Sequence, residues 1–314
     1  MEMDILKALE SLRFPVLNWI MQAITTCGEE LVFMAVALVV FWCVDKWKGY
    51  YLLSVGFVGT ILSQFLKLLC RVPRPWVRDP SFTVVESAKA QATGYSFPSG
   101  HTQSAMGTFG SLARDTKRRG LRWAFWILAV LVGFSRCYLG AHYPSDVLVA
   151  AVLSAVLVFA LFPVVRRAKE SPKFMYGFLG SMVLLALAYL AFVEFYPFPP
   201  EASLADPVTG TSNYQEGLKN AYSLLGALVG LIIAYTADNR SIHFSEKAPL
   251  LGQICKVALG LALIVALRAG LKKLFGLISD DLYWNALRYC AMVAFAGAVW
   301  PRTFKLWARV GAKK

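Results

Sequence analysis

Two of the three histidines in this chain lie in short polar segments that interrupt long apolar runs. One segment reads Pro98-Ser99-Gly100-His101, and the other extends from Ser135 to Asp146 and contains Arg136 and His142. A third polar segment, residues 67–75, contributes Lys67 and Arg74. Imidazoles transfer protons or attack as nucleophiles near neutral pH, and Lys and Arg cations hold a phosphate dianion and its transition-state charge. The three segments together predict chemistry on a phosphate group.

The spacing of these residues suggests a role for each. Asp146 follows His142 by four residues, so its carboxylate can accept the ring N–H and leave the other nitrogen free to attack phosphorus. His142 is therefore the predicted nucleophile. His101, on a different helix, is predicted to protonate the leaving alkoxide and then to activate the water that cleaves the phosphohistidine. Ser99 and Gly100 open that helix, whose free backbone N–H groups predict an anion site.

Helices that cross a membrane must position these segments. The chain of 314 residues is 57% hydrophobic and 16% charged, with a mean hydropathy of +0.54. A membrane-spanning helix needs about 20 apolar residues. Such runs lie near residues 29–44, 49–69, 98–113, 122–141, 146–165, 174–195, 220–237, 249–268 and 285–301. They predict an all-α, polytopic membrane bundle of about nine transmembrane helices.

The span model also predicts how the chain is divided. Residues 1–28 are predicted to form an interfacial amphipathic segment, and residues 29–165 the catalytic core, in which spans two to five hold the site. Residues 166–314 are predicted to add about four helices to the same bundle. All three polar segments then fall on one side of the membrane.

Charge indicates the partner and the orientation. A net charge of +13 could indicate nucleic acid, but the Lys and Arg residues form short clusters between apolar runs, so no nucleic-acid partner is expected. Eighteen of them fall on one side of the nine-span model, Lys313 and Lys314 included, and twelve on the other. The positive-inside rule places the C-terminus in the cytoplasm and the site on the opposite face. That face is the outside of a bacterial plasma membrane or the lumen of the endoplasmic reticulum.

Taken together, the motifs resemble those of a known family. Lys-x6-Arg-Pro, Pro-Ser-Gly-His and Ser-Arg-x5-His-x3-Asp follow one another between residues 67 and 146, as in the type 2 phosphatidic acid phosphatase superfamily, also called lipid phosphate phosphatases. The longer chain is similar to the branch that contains glucose-6-phosphatase and sphingosine-1-phosphate phosphatase. The resemblance implies acid catalysis by His101, nucleophilic attack by His142 and orientation by Asp146. It implies phosphate binding by Lys67, Arg74, Ser99, Gly100, Ser135 and Arg136.

The resemblance also implies that no metal or other cofactor takes part. In agreement with this, no carboxylate or histidine cluster has metal-ligand spacing, and the cysteines lack zinc-site spacing.

The substrate is less well defined. A site at the interface can receive a headgroup while the tail stays in lipid, which favours phosphorylated lipids or isoprenyl diphosphates, with membrane lipids as the surroundings. A soluble sugar phosphate and transfer to an alcohol acceptor are the alternatives. A transporter or scaffold is disfavoured because no catalytic residue is missing. Arg71 and Arg78 could anchor at the interface or contact substrate. Glu30 could contact substrate, although capping of its helix is favoured. His243 is expected in a solvated loop.

Overall fold

The computed structural model describes residues 1–203, 212–279 and 281–311. Lys313, Lys314 and part of the predicted 196–219 connection lie outside these residues. The α-helices are α1 (Glu2–Ser11), α2 (Pro15–Thr26), α3 (Glu30–Cys43), α4 (Lys46–Cys70), α5 (Pro75–Arg78), α6 (Glu86–Ala90), α7 (Gly100–Asp115), α8 (Arg119–Tyr138), α9 (Pro144–Glu170), α10 (Pro172–Phe195), α11 (Asn213–Ala237), α12 (Leu250–Gly276), α13 (Trp284–Ala294) and α14 (Phe304–Trp307). Short 3-10 helices form at Pro200–Ser203 and Trp300–Thr303, and π-helical turns at Asp238–Ile242 and Phe295–Val299. The predicted all-α class is confirmed.

Within the described ranges, six helical segments are long and apolar enough to cross a membrane. They are Lys46–Arg78, Arg119–Tyr138, Pro144–Glu170, Pro172–Phe195, Asn213–Ile242 and Leu250–Gly276. The pair α2 and α3, bent by 46°, makes a seventh if it counts as one broken span. Two further predicted spans correspond to α7, of 16 residues, and to α13, of 11 residues followed by a π-helical turn. The count of nine spans remains a prediction.

Contacts divide the chain into two compact units, and all of the predicted site residues lie in the first. This unit contains Met1–Met34, Leu52–Phe162 and Pro197–Gly217. The predicted boundary after residue 165 lies close to its edge at Phe162, while α1, α2 and the 197–217 connection also belong to it. The predicted domain bounds themselves remain a prediction.

Small residues bring the site helices of the first unit close together. A Cβ on Gly133 of α8 would lie 2.9 Å from Val147 of α9 and 3.4 Å from Thr102 of α7, so α8 is pressed against both neighbours. Ala105 of α7 and Ala129 of α8 are fully buried in one apolar cluster at this contact. Such packing fixes the ends of three helices, which is where the polar motifs lie.

The second unit has its own buried polar contacts. Lys46 pairs with Asp238 at 2.7 Å, and the buried Lys256 donates to the carbonyl of Trp42 at 2.8 Å. His243, exposed after a π-helical turn, belongs to this unit.

Candidate active site

His142 lies in the turn between α8 and α9 and is 2% exposed. Its Nδ1 is 3.3 Å from Asp146 Oδ2, in the first turn of α9. The same oxygen accepts the backbone N–H of Tyr143 at 2.9 Å and the hydroxyl of Ser96. An acceptor held in this way favours the tautomer with hydrogen on Nδ1, which leaves a lone pair on Nε2.

Arg74 lies against the same imidazole. Its Nη1 is 2.9 Å from His142 Nε2 and 3.4 Å from Nδ1. A nitrogen nearly as close to one ring nitrogen as to the other sits over the ring face, because a partner along the in-plane lone pair of Nε2 would be much farther from Nδ1. This guanidinium nitrogen thus lies over the ring and does not occupy the in-plane direction of Nε2.

Backbone carbonyls hold the two cations of the first motif. Arg74 donates to Gly94 from Nε at 2.9 Å, to Thr93 from Nη2 at 2.6 Å and to Ala141 from Nη1 at 2.9 Å. Lys67, near the end of α4, donates to the Tyr95 carbonyl at 2.6 Å. The rigid guanidinium fork fits several acceptors at once, so the orientation of Arg74 is fixed.

Arg136 is fully buried in the last turn of α8. Its Nη1 donates to the Thr25 hydroxyl at 3.0 Å, whereas Nε and Nη2 have no hydrogen-bond partner among the described residues. Buried guanidinium N–H groups without acceptors are costly, and a phosphate oxygen would satisfy them.

The third set of groups lies at the start of α7. Ser99 caps the helix, since its Oγ accepts from the backbone N–H of Thr102 at 3.4 Å and from the Thr102 hydroxyl at 2.9 Å. A Cβ on Gly100 would meet no atom of the described structure within 4 Å, so open space adjoins this backbone. His101 Nε2 is buried without a partner among the described residues. A helix N-terminus with open space beside it can accept an anion.

Electrostatic interactions connect these groups. Burial, followed by the charges of Arg74, Arg136 and Lys67 and by His101, lowers the pKa of His142 well below its usual value. The imidazole is therefore neutral at pH 7, as a nucleophile must be. The three cations and His101 therefore all act electrostatically on His142. The motifs predict that these five groups lie together, and the catalytic roles assigned to them remain predictions.

Four further residues were predicted to bind phosphate or to contact substrate. Ser135 is buried, and its hydroxyl donates to the Val132 carbonyl of its own helix at 2.7 Å. Arg71 is half-buried with a left-handed φ of 51°, and Arg78 and Glu30 are exposed. Contacts of these four residues with substrate remain predictions.

Several groups in the site were not predicted. Ser96 binds Asp146, Thr25 binds Arg136, and the carbonyls of residues 93–95 bind the cations. A backbone carbonyl has no sequence signature, because every residue carries one. Ser96, two residues before Pro98, could have been suspected from its position beside a motif.

No group of three His, Cys, Asp or Glu residues in the described ranges could hold a metal ion. Metal-independent catalysis remains a prediction.

Two family models match the chain. The PAP2 superfamily model covers residues 47–170, and a model of the transmembrane extension of PAP2 superfamily phosphatases covers residues 222–311. The chain is also 31% identical over 168 residues to the undecaprenyl-diphosphatase BcrC of Bacillus subtilis (strain 168), across 83% of that protein and 52% of this chain. The chain belongs to the PAP2 superfamily. This PAP2 protein is thus a phosphatase, and its matched extension and candidate spans make it an integral membrane protein.

Two further relatives bear on the branch of the superfamily that the sequence predicts. A probable sphingosine-1-phosphate phosphatase of Dictyostelium discoideum is 25% identical over 269 residues, or 80% of this PAP2 chain and 60% of the relative. Glucose-6-phosphatase catalytic subunit 1 of Bos taurus is 33% identical over 142 residues, or 36% of this chain and 39% of the relative. Both support the predicted branch of the superfamily.

Proposed function

We propose that this PAP2 phosphatase hydrolyses lipid phosphates or lipid diphosphates through a phosphohistidine on His142. The observation that carries the proposal is the buried, neutral imidazole with a carboxylate at Nδ1 and a guanidinium over its face. The carboxylate orients the ring, and the guanidinium stands beside the position that a phosphate bound at Nε2 would take, where it can donate to a phosphate oxygen.

The first displacement forms the phosphoenzyme. Nε2 of His142 attacks phosphorus and the bond from phosphorus to the leaving oxygen breaks. His101 gives a proton to that oxygen, which departs as an alcohol or, from a diphosphate, as a lipid monophosphate. Asp146 stabilises the positive charge that develops on the attacking ring.

The second displacement restores the enzyme. His101 takes a proton from a water molecule, whose oxygen attacks phosphorus while the bond from nitrogen to phosphorus breaks. Inorganic phosphate leaves, and His142 is again neutral. Lys67, Arg74 and Arg136 hold the equatorial oxygens in both steps, and the unpaired Nε and Nη2 of Arg136 are suited to this role.

Two observations support a lipid substrate on the outer or lumenal face. The groups of the site lie at the end of α4, the start of α7 and the turn after α8, where apolar helices end. The BcrC relative is named for a lipid diphosphate. A headgroup can enter such a site from the membrane surface while its tail remains in lipid. The distribution of Lys and Arg supports a position of this surface outside the cytosol.

A soluble sugar phosphate is the second candidate, favoured by the match to glucose-6-phosphatase. The purified protein in detergent would be assayed on a lipid monophosphate, an isoprenyl diphosphate and a sugar phosphate, each with EDTA present. We expect turnover of the lipids to exceed that of the sugar and to survive chelation. Preference for the sugar would contradict the lipid assignment.

The same preparation tests the intermediate. Brief reaction with phosphorus-labelled substrate followed by alkaline quenching should leave acid-labile label on the protein. His142→Ala should abolish both label and turnover, whereas His243→Ala, at an exposed histidine, should change neither. Turnover that persists in His142→Ala would end the phosphohistidine mechanism.

A further inference from the structure

Residues 93–96, here called the carbonyl strap, connect three of the proposed site side chains. The carbonyls of residues 93–95 accept from Arg74 and Lys67, at distances between 2.6 and 2.9 Å. Ser96 then donates its hydroxyl to Asp146. The position of this strap therefore determines where both cations stand relative to His142.

The other side of the strap contacts the first turn of α11. Gly94 has a left-handed φ of +66°, and a Cβ there would lie 3.2 Å from Asn213 Oδ1 and 3.4 Å from Glu216 Oε2. The Tyr95 hydroxyl shares a hydrogen bond with the Asn213 side chain. Two side chains of α11 thus lie directly against the middle of the strap.

This first turn of α11 is itself firmly placed within the first unit. A Cβ on Gly217 would lie 2.6 Å from Leu68 Cδ1, so the turn is pressed against α4 one residue beyond Lys67. The buried Ser212 caps the helix by accepting the backbone N–H of Gln215 at 3.1 Å. The Glu216 carboxylate also acts electrostatically on the Lys67 ammonium.

We infer that Asn213 and Glu216 are positioning residues that act through the carbonyl strap on Arg74 and Lys67. The inference rests on the proposed function, because it takes these two cations as the phosphate-binding groups. Asn213 and Glu216 lie outside the three motifs and before the matched extension. A displacement of the cations by about 1 Å can lower a rate by roughly 10²-fold, so even a smaller shift of the strap should lower kcat/KM measurably.

Four variants test this role. Asn213→Ala removes the partner of the Tyr95 hydroxyl, Tyr95→Phe removes the hydroxyl but keeps the carbonyl that binds Lys67, and Glu216→Ala removes the contact with Gly94. Gln215→Ala is the matched control, since its exposed side chain lies in the same turn and accepts from the Ser212 backbone. We expect the first three to lower kcat/KM about tenfold and to weaken inhibition by orthovanadate similarly. Thermal midpoints should stay near wild type.

A double variant tests whether Asn213 and Tyr95 act on the strap together. If Asn213 acts on the strap through Tyr95, combining Asn213→Ala with Tyr95→Phe should lower kcat/KM no further than either change alone. Wild-type kcat/KM and vanadate inhibition in the single variants, or an equal loss in Gln215→Ala, would overturn the inference. A wild-type protein that binds orthovanadate but turns over no phosphate ester would instead contradict the proposed function.

Discussion

The His142 imidazole has a carboxylate at one nitrogen and a guanidinium over its face, and it has almost no access to solvent. Neutral imidazole is the reactive form, and burial with nearby cations keeps it neutral. Burial and the nearby cations thus disfavour protonation of the proposed nucleophile until a phosphate dianion offsets their charge.

The lowered pKa of His142 makes stability depend on pH. Below about pH 6.5 the unfolded chain binds a proton at this histidine that the folded protein does not, so stability falls as the pH falls. His142→Asn should remove about 1 kcal/mol of the stability lost between pH 7.5 and 5.5. Thermal unfolding in detergent at both pH values measures this. His243→Asn, at an exposed histidine, is the control, and an equal acid-induced loss in wild type and His142→Asn would contradict the prediction.

Arg74→Lys tests the guanidinium fork. An ammonium cannot reach the carbonyls of residues 93, 94 and 141 and also stack on the imidazole. We expect kcat/KM to fall by about 10²-fold while the net charge is unchanged. Arg119→Lys, at an exposed arginine outside the predicted site, should have little effect. Near-normal kcat/KM for Arg74→Lys would show that a positive charge at this position is enough for activity and that the guanidinium fork is not required.

At the residue scale, the sequence predicted which side chains belong to the site better than it predicted the groups to which they bond. The interval between His142 and Asp146 sufficed to predict their contact, because the start of α9 brings them together. Ser135 carries the same motif-based prediction as Ser99, yet its hydroxyl bonds to its own helix. The carbonyl strap was not predicted, since it depends on the path of a loop and not on residue type.

Helix α1 packs behind the turn that carries His142. Its Leu6 is fully buried with Phe82, Cys137 and Tyr143. Beyond the helix, Arg13 donates to the Tyr138 carbonyl at 2.8 Å. An apolar contact and a guanidinium therefore support this turn.

Leu6→Ala should be far more damaging than Lys7→Ala. Loss of a fully buried leucine leaves a cavity and costs about 2–5 kcal/mol. The Lys7 ion pair with Asp79 is at the surface, with side chains 49% and 25% exposed, and solvent-screened pairs of this kind contribute little to stability. Thermal unfolding in detergent compares the two. A larger loss in Lys7→Ala would mean that the ion pair, not the apolar contact, holds α1.

Residues 1–28 show why element positions were harder to predict. An amphipathic pattern indicates which face of a helix is apolar, but not whether lipid or protein covers that face. In the structure, Leu6 of α1 and Thr25 of α2 are fully buried in the first unit, and Thr25 binds Arg136. These helices are therefore partners of the site, whatever their depth in the membrane.

At the scale of the whole molecule, the long apolar helices indicate that the protein lies in a membrane, and the basic residues predict which side of the membrane the site faces. Cys70 ends α4 within the first motif and is exposed. We expect a membrane-impermeant maleimide to label Cys70 in intact cells and Cys70→Ser to remove that labelling. Labelling that requires permeabilised cells would reverse the predicted orientation.

The cations of the site are held largely by backbone carbonyls, which are dipoles without net charge. In the proposed mechanism, each catalytic cycle leaves a free orthophosphate beside the same cations that bound the ester. We expect release of this orthophosphate, not bond breaking at phosphorus, to be the rate-limiting step. An enzyme built in this way slows as its own product accumulates.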